Sequence, residues 1–302
     1  MSGRSPVASR QSPVARPQTG ERTLAPFGRR VCEIVAAQAT GGYRIFSALD
    51  RQGPMPRAGQ FYMLSAASGW GSDDGRPYLP RAFSVAAAEQ DEGGVRLDFL
   101  AEAVGPGTER LCALGPGEGL WVLGPLGRPF TRPRELAPAA AGAILVGGGI
   151  GLAPLAILRR ELADAGVPLR TLLGFRDRAH SGGLEDLFDC CEVRLASEDG
   201  HAGHRGYVTD LLVTLLQGRE AAGAAVYACG PPGMLEAVRA ICTQRGVAAE
   251  LAMETPMACG FGSCFGCAMP LAAGGYLRLC VDGPVVRAEQ IESALVEGSG
   301  HR

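Results

Sequence analysis

The chain has 302 residues, 46% hydrophobic and 20% charged, with a net charge of −2. That leaves room for two domains with their own cores plus a small appendage, and no basic excess to favour nucleic acid or an anionic membrane. Its ten cysteines do not read as a secreted disulfide framework in so long and apolar a chain, no apolar run reaches about 18 residues, and the N-terminus has no apolar signal core, so a reducing cytoplasm is the expected location.

Residues 1–25 are rich in Ser, Pro, Arg and Gln and poor in large apolar groups. They are expected to form a disordered tail, because such a stretch buries too little to offset its ordering entropy. Residues 26–133 read as β throughout. RRVCEIVAA, YRIFSALD, GQFYMLSA, RAFSVAAA, VRLDFLAEA and EGLWVLG are short β-branched and aromatic runs separated by Gly, Pro and Asp. Together they predict a small antiparallel β-barrel. A Pro- and Ala-rich stretch from Pro133 to Ala141 reads as a linker.

Residues 140–254 change rhythm. AILVG, LRTLLGF, CEVRLA, AAVYAC and AAELAME read as strands. Between them lie helical patterns, LAPLAILRRELADAG ended by Gly166, YVTDLLVTLLQ, and GMLEAVRAICTQRG ended by Gly246. Strands alternating with helices predict a parallel sheet covered on both faces. Residues 255–292 crowd cysteines and glycines into a segment too short for its own core, so a non-peptide group is expected to organise it. The fold class is thus α+β and multidomain: a β-barrel, a parallel α/β domain and a small C-terminal segment.

Cys259, Cys264, Cys267 and Cys280 follow the spacing C-x4-C-x2-C-x12-C. The first three match plant-type [2Fe–2S] spacing. Soft thiolates suit iron and balance its charge, and Gly260, Gly262, Ser263 and Gly266 leave room for amides to point at the sulfurs. Pro270 and Gly274-Gly275 would start a hairpin that returns Cys280. A structural zinc site, a pair of disulfides and unrelated buried thiols are the other readings. Zinc knuckles come as two short Cys pairs; here there is one. The remaining cysteines read as small core residues.

Arg81-Ala82-Phe83-Ser84 opens a β run after Pro80. Its arginine suits a pyrophosphate, and its serine offers a hydroxyl and an amide to a flavin ring nitrogen. Gly105-Pro106-Gly107-Thr108 follows, opening a short helix, and two more glycine turns come after it. In that order they favour a flavin over isolated β-turns. Gly147-Gly148-Gly149-Ile150-Gly151, between a strand and a helix, places amides and a helix N-terminus beside a pyrophosphate. It is not the standard G-x-G-x-x-G, and no clean acidic residue follows the second strand. Cys229-Gly230-Pro231 sits at the carboxyl end of another parallel strand, where ligands bind in such sheets. There Cys229 is either near a nicotinamide or a buried thiol.

Taken together, R-x-F-S, the glycine loop and CGP-x-x-M resemble the ferredoxin–NADP reductase superfamily over residues 27–290. MACGFGSCFGCAMP followed by RLCVDGPVVRAEQI, with VGGGIG-x-APL from Val146 to Leu155, resembles the electron-transfer subunits of type B dihydroorotate dehydrogenase. The resemblance implies FAD, a [2Fe–2S] cluster on the four cysteines and NAD(P) as co-substrate. It also implies an FMN-containing catalytic partner in a heterotetramer of two of each. Arg81, Ala82, Phe83, Ser84, Leu100, Ala101, Glu102, Gly107 and Thr108 would contact FAD. Gly147, Gly148, Gly149, Gly151, Cys229, Gly230 and Pro231 would contact the nucleotide. Ala101 and Glu102 depart from the family, where an aromatic and an arginine are expected, and Ala82 and Phe83 replace a proline and a small aliphatic residue.

On this reading electrons enter from the partner and leave as hydride to NAD+, with no acid or base needed in this chain. The four histidines, His180, His201, His204 and His301, then read as solvated. Phe261 and Phe265 are either a partner contact or a shield for the cluster. The rival readings are a reductase subunit of a sulfhydrogenase or NADPH–ferredoxin enzyme, and a zinc-stabilised nucleotide-binding regulatory module.

Overall fold

A computed structural model describes residues 28–71, 77–181, 183–188, 192–218, 221 and 223–295. The expected tail at residues 1–25, Cys190, Cys191 and His301 lie outside them.

Six strands form a closed barrel: β1 (Arg30–Thr40), β2 (Tyr43–Asp50), β3 (Phe61–Ala66), β4 (Arg81–Asp91), β5 (Gly94–Ala101) and β6 (Gly119–Leu126), in the order β1-β2-β5-β4-β3-β6. Every pairing is antiparallel. Alternation drives closure. Along β5, Val95, Leu97 and Phe99 are buried while Arg96 and Asp98 are not. Phe99 meets Phe46 and Tyr62 at centroid distances of 5.6 Å each, spacings typical of favourable aromatic pairs. Closure also leaves no edge for another chain to pair with. At the seam, Arg30 donates from Nε to Asp50 at 2.7 Å and from Nη2 to the Gly124 carbonyl at 2.8 Å, so one buried guanidinium ties β1, β2 and β6. A short helix, α1 (Pro106–Cys112), lies between β5 and β6.

The expected linker is partly helical, α2 (Pro133–Leu136). Just before it, Thr131 donates through its amide and its hydroxyl to Glu250, both at 2.9 Å. The second lobe then runs β7 (Gly142–Gly148), α3 (Leu152–Asp164), β8 (Leu169–Phe175), α4 (Arg178–Ser181), β9 (Glu192–Ser197), β10 (His204–Arg205), α5 (Val208–Gln217), β11 (Ala224–Cys229), α6 (Pro232–Arg245) and β12 (Ala249–Ala252). Its strands from β10 to β12 pair in parallel. The apolar run of β7 is buried on both faces, as a central parallel strand must be. Gly166 and Gly246 follow α3 and α6 with φ of 69° and 64°, the left-handed turn that glycine adopts without a Cβ penalty.

The C-terminal segment forms a hairpin, β13 (Ala268–Pro270) and β14 (Tyr276–Arg278), then α7 (Leu279–Asp282) and β15 (Val285–Arg287). β15 pairs antiparallel with β12, so the sheet reads β10-β9-β8-β7-β11-β12-β15. Met269, Leu279 and Ile291 are buried in one cluster with Leu251 of the sheet and Met63 of the barrel. The segment therefore borrows its core from both neighbours. The lobes meet where α3 packs on β4, where Glu161 accepts from the Ala58 amide at 2.7 Å, and where the Gly42 amide donates to the Ala179 carbonyl at 2.8 Å.

Candidate functional site

Three sites adjoin. The first is a cavity of about 560 Å³ between the barrel and the second lobe. Arg81, Ala82, Phe83 and Ser84 line one side of it, with Leu100, Glu102 and Thr108 nearby. The Arg81 guanidinium packs on the first turn of α1: a Cβ on Gly107 would come within 2.7 Å of it. Arg81 also donates to the Leu79 carbonyl at 2.6 Å. The Thr108 hydroxyl accepts from the Val104 and Gly105 amides at 2.9 and 3.2 Å, fixing the turn into α1. Phe83 is mostly buried against Phe46, edge to face at 6.3 Å, with its remaining surface on the cavity. Ala101 is wholly buried in the barrel, behind the wall that Leu100 and Glu102 form.

Thr255 also lines this cavity, and its buried hydroxyl has no protein partner. Such an orphan costs about 1–3 kcal/mol unless a ligand atom meets it. The cavity therefore fits a group with both polar and extended apolar surface, as a flavin has. Cys229 lies on the same wall, and burial pushes its thiol well above the usual range.

The second cavity, about 740 Å³, opens over the carboxyl ends of β7 and β11. Strand order reverses between these two strands, the crevice where open α/β sheets bind ligands. Gly148, Gly149 and Gly151 face Gly230 and Pro231 across it. The two turns nearly touch, since a Cβ on Gly151 would fall 2.5 Å from the Gly230 nitrogen. Gly147 stands behind them, with Leu152 2.4 Å from where its Cβ would be. The N-termini of α3 and α6 point amides into this space, a setting for a pyrophosphate. Glu102, Ile150, Gly151 and Glu254 line both cavities, so the two are neighbours with common walls.

Met234 of the CGP-x-x-M motif lines the nucleotide cavity, as do Tyr43, His180, Glu198 and Tyr207, which no motif flagged; nor did one flag Thr255 on the first. Thr255 stands just past the last parallel strand, a position that could have flagged it. The others come from elements remote in the chain. Two of the histidines are not the solvated groups expected. His180 Nδ1 lies 2.6 Å from Asp177 and its Nε2 2.9 Å from Arg176. His201 lies 2.6 Å from Asp199 and 2.8 Å from the Ser181 hydroxyl. In each case a nearby carboxylate and a turn hold the ring, and hydrogen bonding to His180 brings the Asp177 carboxyl down to about 2. His204, half exposed beside Asp210 at 3.3 Å, is the most open of the three described.

The third site holds the cysteines. All four are free thiols. Cys267 and Cys280 are buried, their sulfurs 3.2 Å apart across the hairpin. Cys259 and Cys264 form the other pair, linked by hydrogen bonds. Among the described residues no three ligand-type side chains close on a single ion. Two pairs of thiols are what two irons bridged by sulfide take, so the donor set fits a [2Fe–2S] cluster. Backbone amides are already aimed at sulfur, from Ser263 to Cys259 at 3.3 Å and from Gly266 to Cys264 at 3.5 Å. Burial alone would raise Cys259. The amides of Cys264, Phe261 and Ser263 outweigh it and bring the thiol down to about 6, toward the thiolate that binds metal. Cys280 goes the other way, raised by burial and by Cys267. Gly260, with φ of 78°, lets the loop lie on Met63, 2.4 Å from where a Cβ would be. Met257, Ala258 and Gly266 of this loop line the first cavity, so the thiols sit directly beside it.

Residues 254–292 match the family model described as the iron-sulfur cluster binding domain of dihydroorotate dehydrogenase B. The electron transfer subunit of dihydroorotate dehydrogenase B (NAD(+)) from Bacillus caldolyticus is 37% identical over 239 residues, 78% of this chain and 87% of that one. The subunit of the same name from Listeria innocua is 33% identical over 77% of this chain and 86% of its own length. The chain belongs to this family, the electron-transfer subunits of dihydroorotate dehydrogenase B. Membership covers both lobes and the cysteine segment, and it agrees with the motifs despite Ala101 and Glu102. Among solved structures, an NADH-dependent reduced ferredoxin-NADP oxidoreductase superposes with a TM-score of 0.73 at 24% identity, over 89% of this chain and 92% of that one. A ferredoxin NADP+ reductase from Neisseria gonorrhoeae gives 0.59 at 16% identity, over 72% and 92%. These show that the chain shares the fold of those reductases.

Proposed function

We propose that the chain carries electrons from an FMN-containing dihydroorotate dehydrogenase catalytic subunit, through a [2Fe–2S] cluster and FAD, to NAD+ in pyrimidine biosynthesis. The observation that carries this is contiguity: the cysteine loop forms a wall of the first cavity, and that cavity shares walls with the second. FAD supplies the junction at which electrons arriving singly leave as a pair.

Arg81 and Thr108 would hold the FAD phosphates, with Gly107 leaving room for the Arg81 guanidinium against α1; Ala82, Phe83, Ser84 and Leu100 would border its ring, with Ala101 supporting that wall from behind and Glu102 at its junction with the nucleotide. Gly148, Gly149, Gly151, Gly230 and Pro231 cradle the NAD pyrophosphate, Gly147 sets their turn, and Cys229 seals the wall toward the flavin. Cys259, Cys264, Cys267 and Cys280 would hold the [2Fe–2S] cluster.

Phe261 and Phe265 stand 54% and 62% exposed beside the thiols. We assign them to the catalytic subunit's docking face, in an assembly of two copies of each subunit. The eight described cysteines are free, which suits a reducing cytoplasm. Among the described residues no helix is long and apolar enough to cross a membrane.

The test is to co-purify the chain with its catalytic subunit and follow NADH formation from dihydroorotate. The complex is expected to make NADH and orotate in equal amounts. Cys259→Ser is expected to lower that rate at least about 100-fold while NADH still reduces the flavin directly. A complex that makes no NADH from dihydroorotate overturns the reading.

A further inference from the structure

His180 lines the nucleotide cavity at the seam between the lobes, and the electron path makes no use of it. Groups from three places surround its ring. From its own turn, Asp177 Oδ1 lies 2.6 Å from Nδ1, and Arg176, whose Nε is paired with Asp177 Oδ2 at 3.3 Å, places Nη2 2.9 Å from Nε2. From the barrel, Glu102 Oε1 lies 3.6 Å from that same Nε2. From β2, Tyr43 meets the ring edge-on at 6.1 Å and 77°. The bond from the Gly42 amide to the Ala179 carbonyl holds the backbone beside it. Arg178 precedes it on α4, and Glu198 and Glu254 line the same cavity.

The donors and acceptors define the ring's state. An ionised carboxylate only accepts, so Nδ1 carries a hydrogen toward Asp177. A guanidinium only donates, so Nε2 presents its lone pair to Arg176. Only the neutral ring completes both of these bonds. A second proton can go only to Nε2, where it displaces the Arg176 donor and makes Nε2 a donor itself. The acceptor nearest to hand is Glu102. Arg176 and Glu102 thus compete for one nitrogen, and the proton decides between them.

We propose that His180 is a proton-linked positioning residue for the dinucleotide. Neutral, it occupies the Arg176 Nη2 donor and leaves the Glu102 carboxylate bare; protonated, it covers Glu102 and frees that donor, on an arginine still anchored through Nε by Asp177, for the dinucleotide's phosphates. Both consequences of the proton favour an anionic ligand, so they add. Binding is therefore expected to tighten as pH falls. By linkage, binding draws in a proton. The inference rests on the second cavity being the NAD site.

The test uses the oxidised holoprotein with FAD and cluster in place, titrated calorimetrically with NAD+ at pH 6 and pH 8 in buffers of different ionisation enthalpy. Wild type is expected to bind about threefold to tenfold more tightly at pH 6 and to take up a fraction of a proton. His180→Gln, which keeps a polar side chain that does not titrate, is expected to bind with neither effect. Glu102→Gln is expected to bind more tightly than wild type at pH 8 and to flatten the profile, with flavin absorbance checking that FAD is retained. A flat wild-type profile, or an unchanged slope in His180→Gln, overturns the inference. Gly230→Val tests the cavity separately, because its side chain would meet Met234 and the Gly148 nitrogen, 2.6 and 3.1 Å from the Cβ. It is expected to lose NAD+ binding. If it binds undiminished, the cavity assignment fails and the inference with it; if it fails to bind while wild type shows no pH dependence, only the inference falls.

Discussion

At the scale of single residues, charge satisfaction decides most of what the barrel and the sites tolerate. Asp50 is 1% exposed, and its carboxylate accepts from Arg30 and from the Gly53 amide. Burial by itself would raise its pKa. The hydrogen bonds and charge of Arg30 overcome that and hold it below the ordinary value. A carboxylate lowered by folding adds stability above its unfolded pKa of about 3.9 and loses it as pH falls through the folded value. Asp50→Asn is therefore expected to cost about 3 kcal/mol at pH 7, by leaving the Arg30 charge buried without its partner. The gap to wild type should narrow below about pH 4, as urea midpoints at the two pH values would show. The cysteine quartet and Arg81 were legible in the sequence because their spacing is local. His180 and His201 were not, because what holds each ring is a turn geometry that brings a carboxylate and a second partner to it.

At the scale of elements, the hairpin and β15 explain how a cysteine segment with no core of its own stays in place. The Gly274-Gly275 turn was readable, with φ of 83° and 87° as two glycines allow, and it returns Cys280 to Cys267. The pairing of β15 with β12 was not readable. Three residues, Val285–Arg287, carry no period long enough to declare a strand, and only the exposed edge of β12 makes them one. Val286 is 3% exposed at that junction. Val286→Asp would bury an unpaired charge at a cost of about 3 kcal/mol or more. Iron and acid-labile sulfide are expected to fall well below stoichiometry while FAD, held on the barrel side, stays bound, a difference that visible spectra and iron analysis would register.

At the scale of the whole molecule, the arrangement is a row: thiols, first cavity, second cavity. Its outer end is the aromatic pair beside the cysteines. Phe265 has a φ of 59°, the left-handed region that a bulky side chain enters at a cost of about 1–2 kcal/mol, and its ring lies under Arg278, whose guanidinium carbon is 5.2 Å from the centroid. A strained, exposed ring beside the cluster site suits a contact surface better than a shield. Replacing Phe261 by Ser and Phe265 by Asn, which tolerates that backbone, is expected to weaken assembly with the catalytic subunit about 10- to 1000-fold with the cluster intact. Size-exclusion and dilution of the mixed subunits would measure it.

The sequence by itself determined the order of the lobes, the strand and helix rhythm, the glycine turns and the four thiols, because each depends on residues close together in the chain. Tertiary structure alone decided that the thiols meet in two pairs, that the cysteine loop forms a wall of the first cavity, and that Ala101 stands behind Leu100. It also decided that Glu102 from the barrel and Arg176 from the sheet meet at His180. Those facts depend on where the closed barrel docks against α3 and the sheet, and docking is set by packing between segments tens of residues apart, which no local period records.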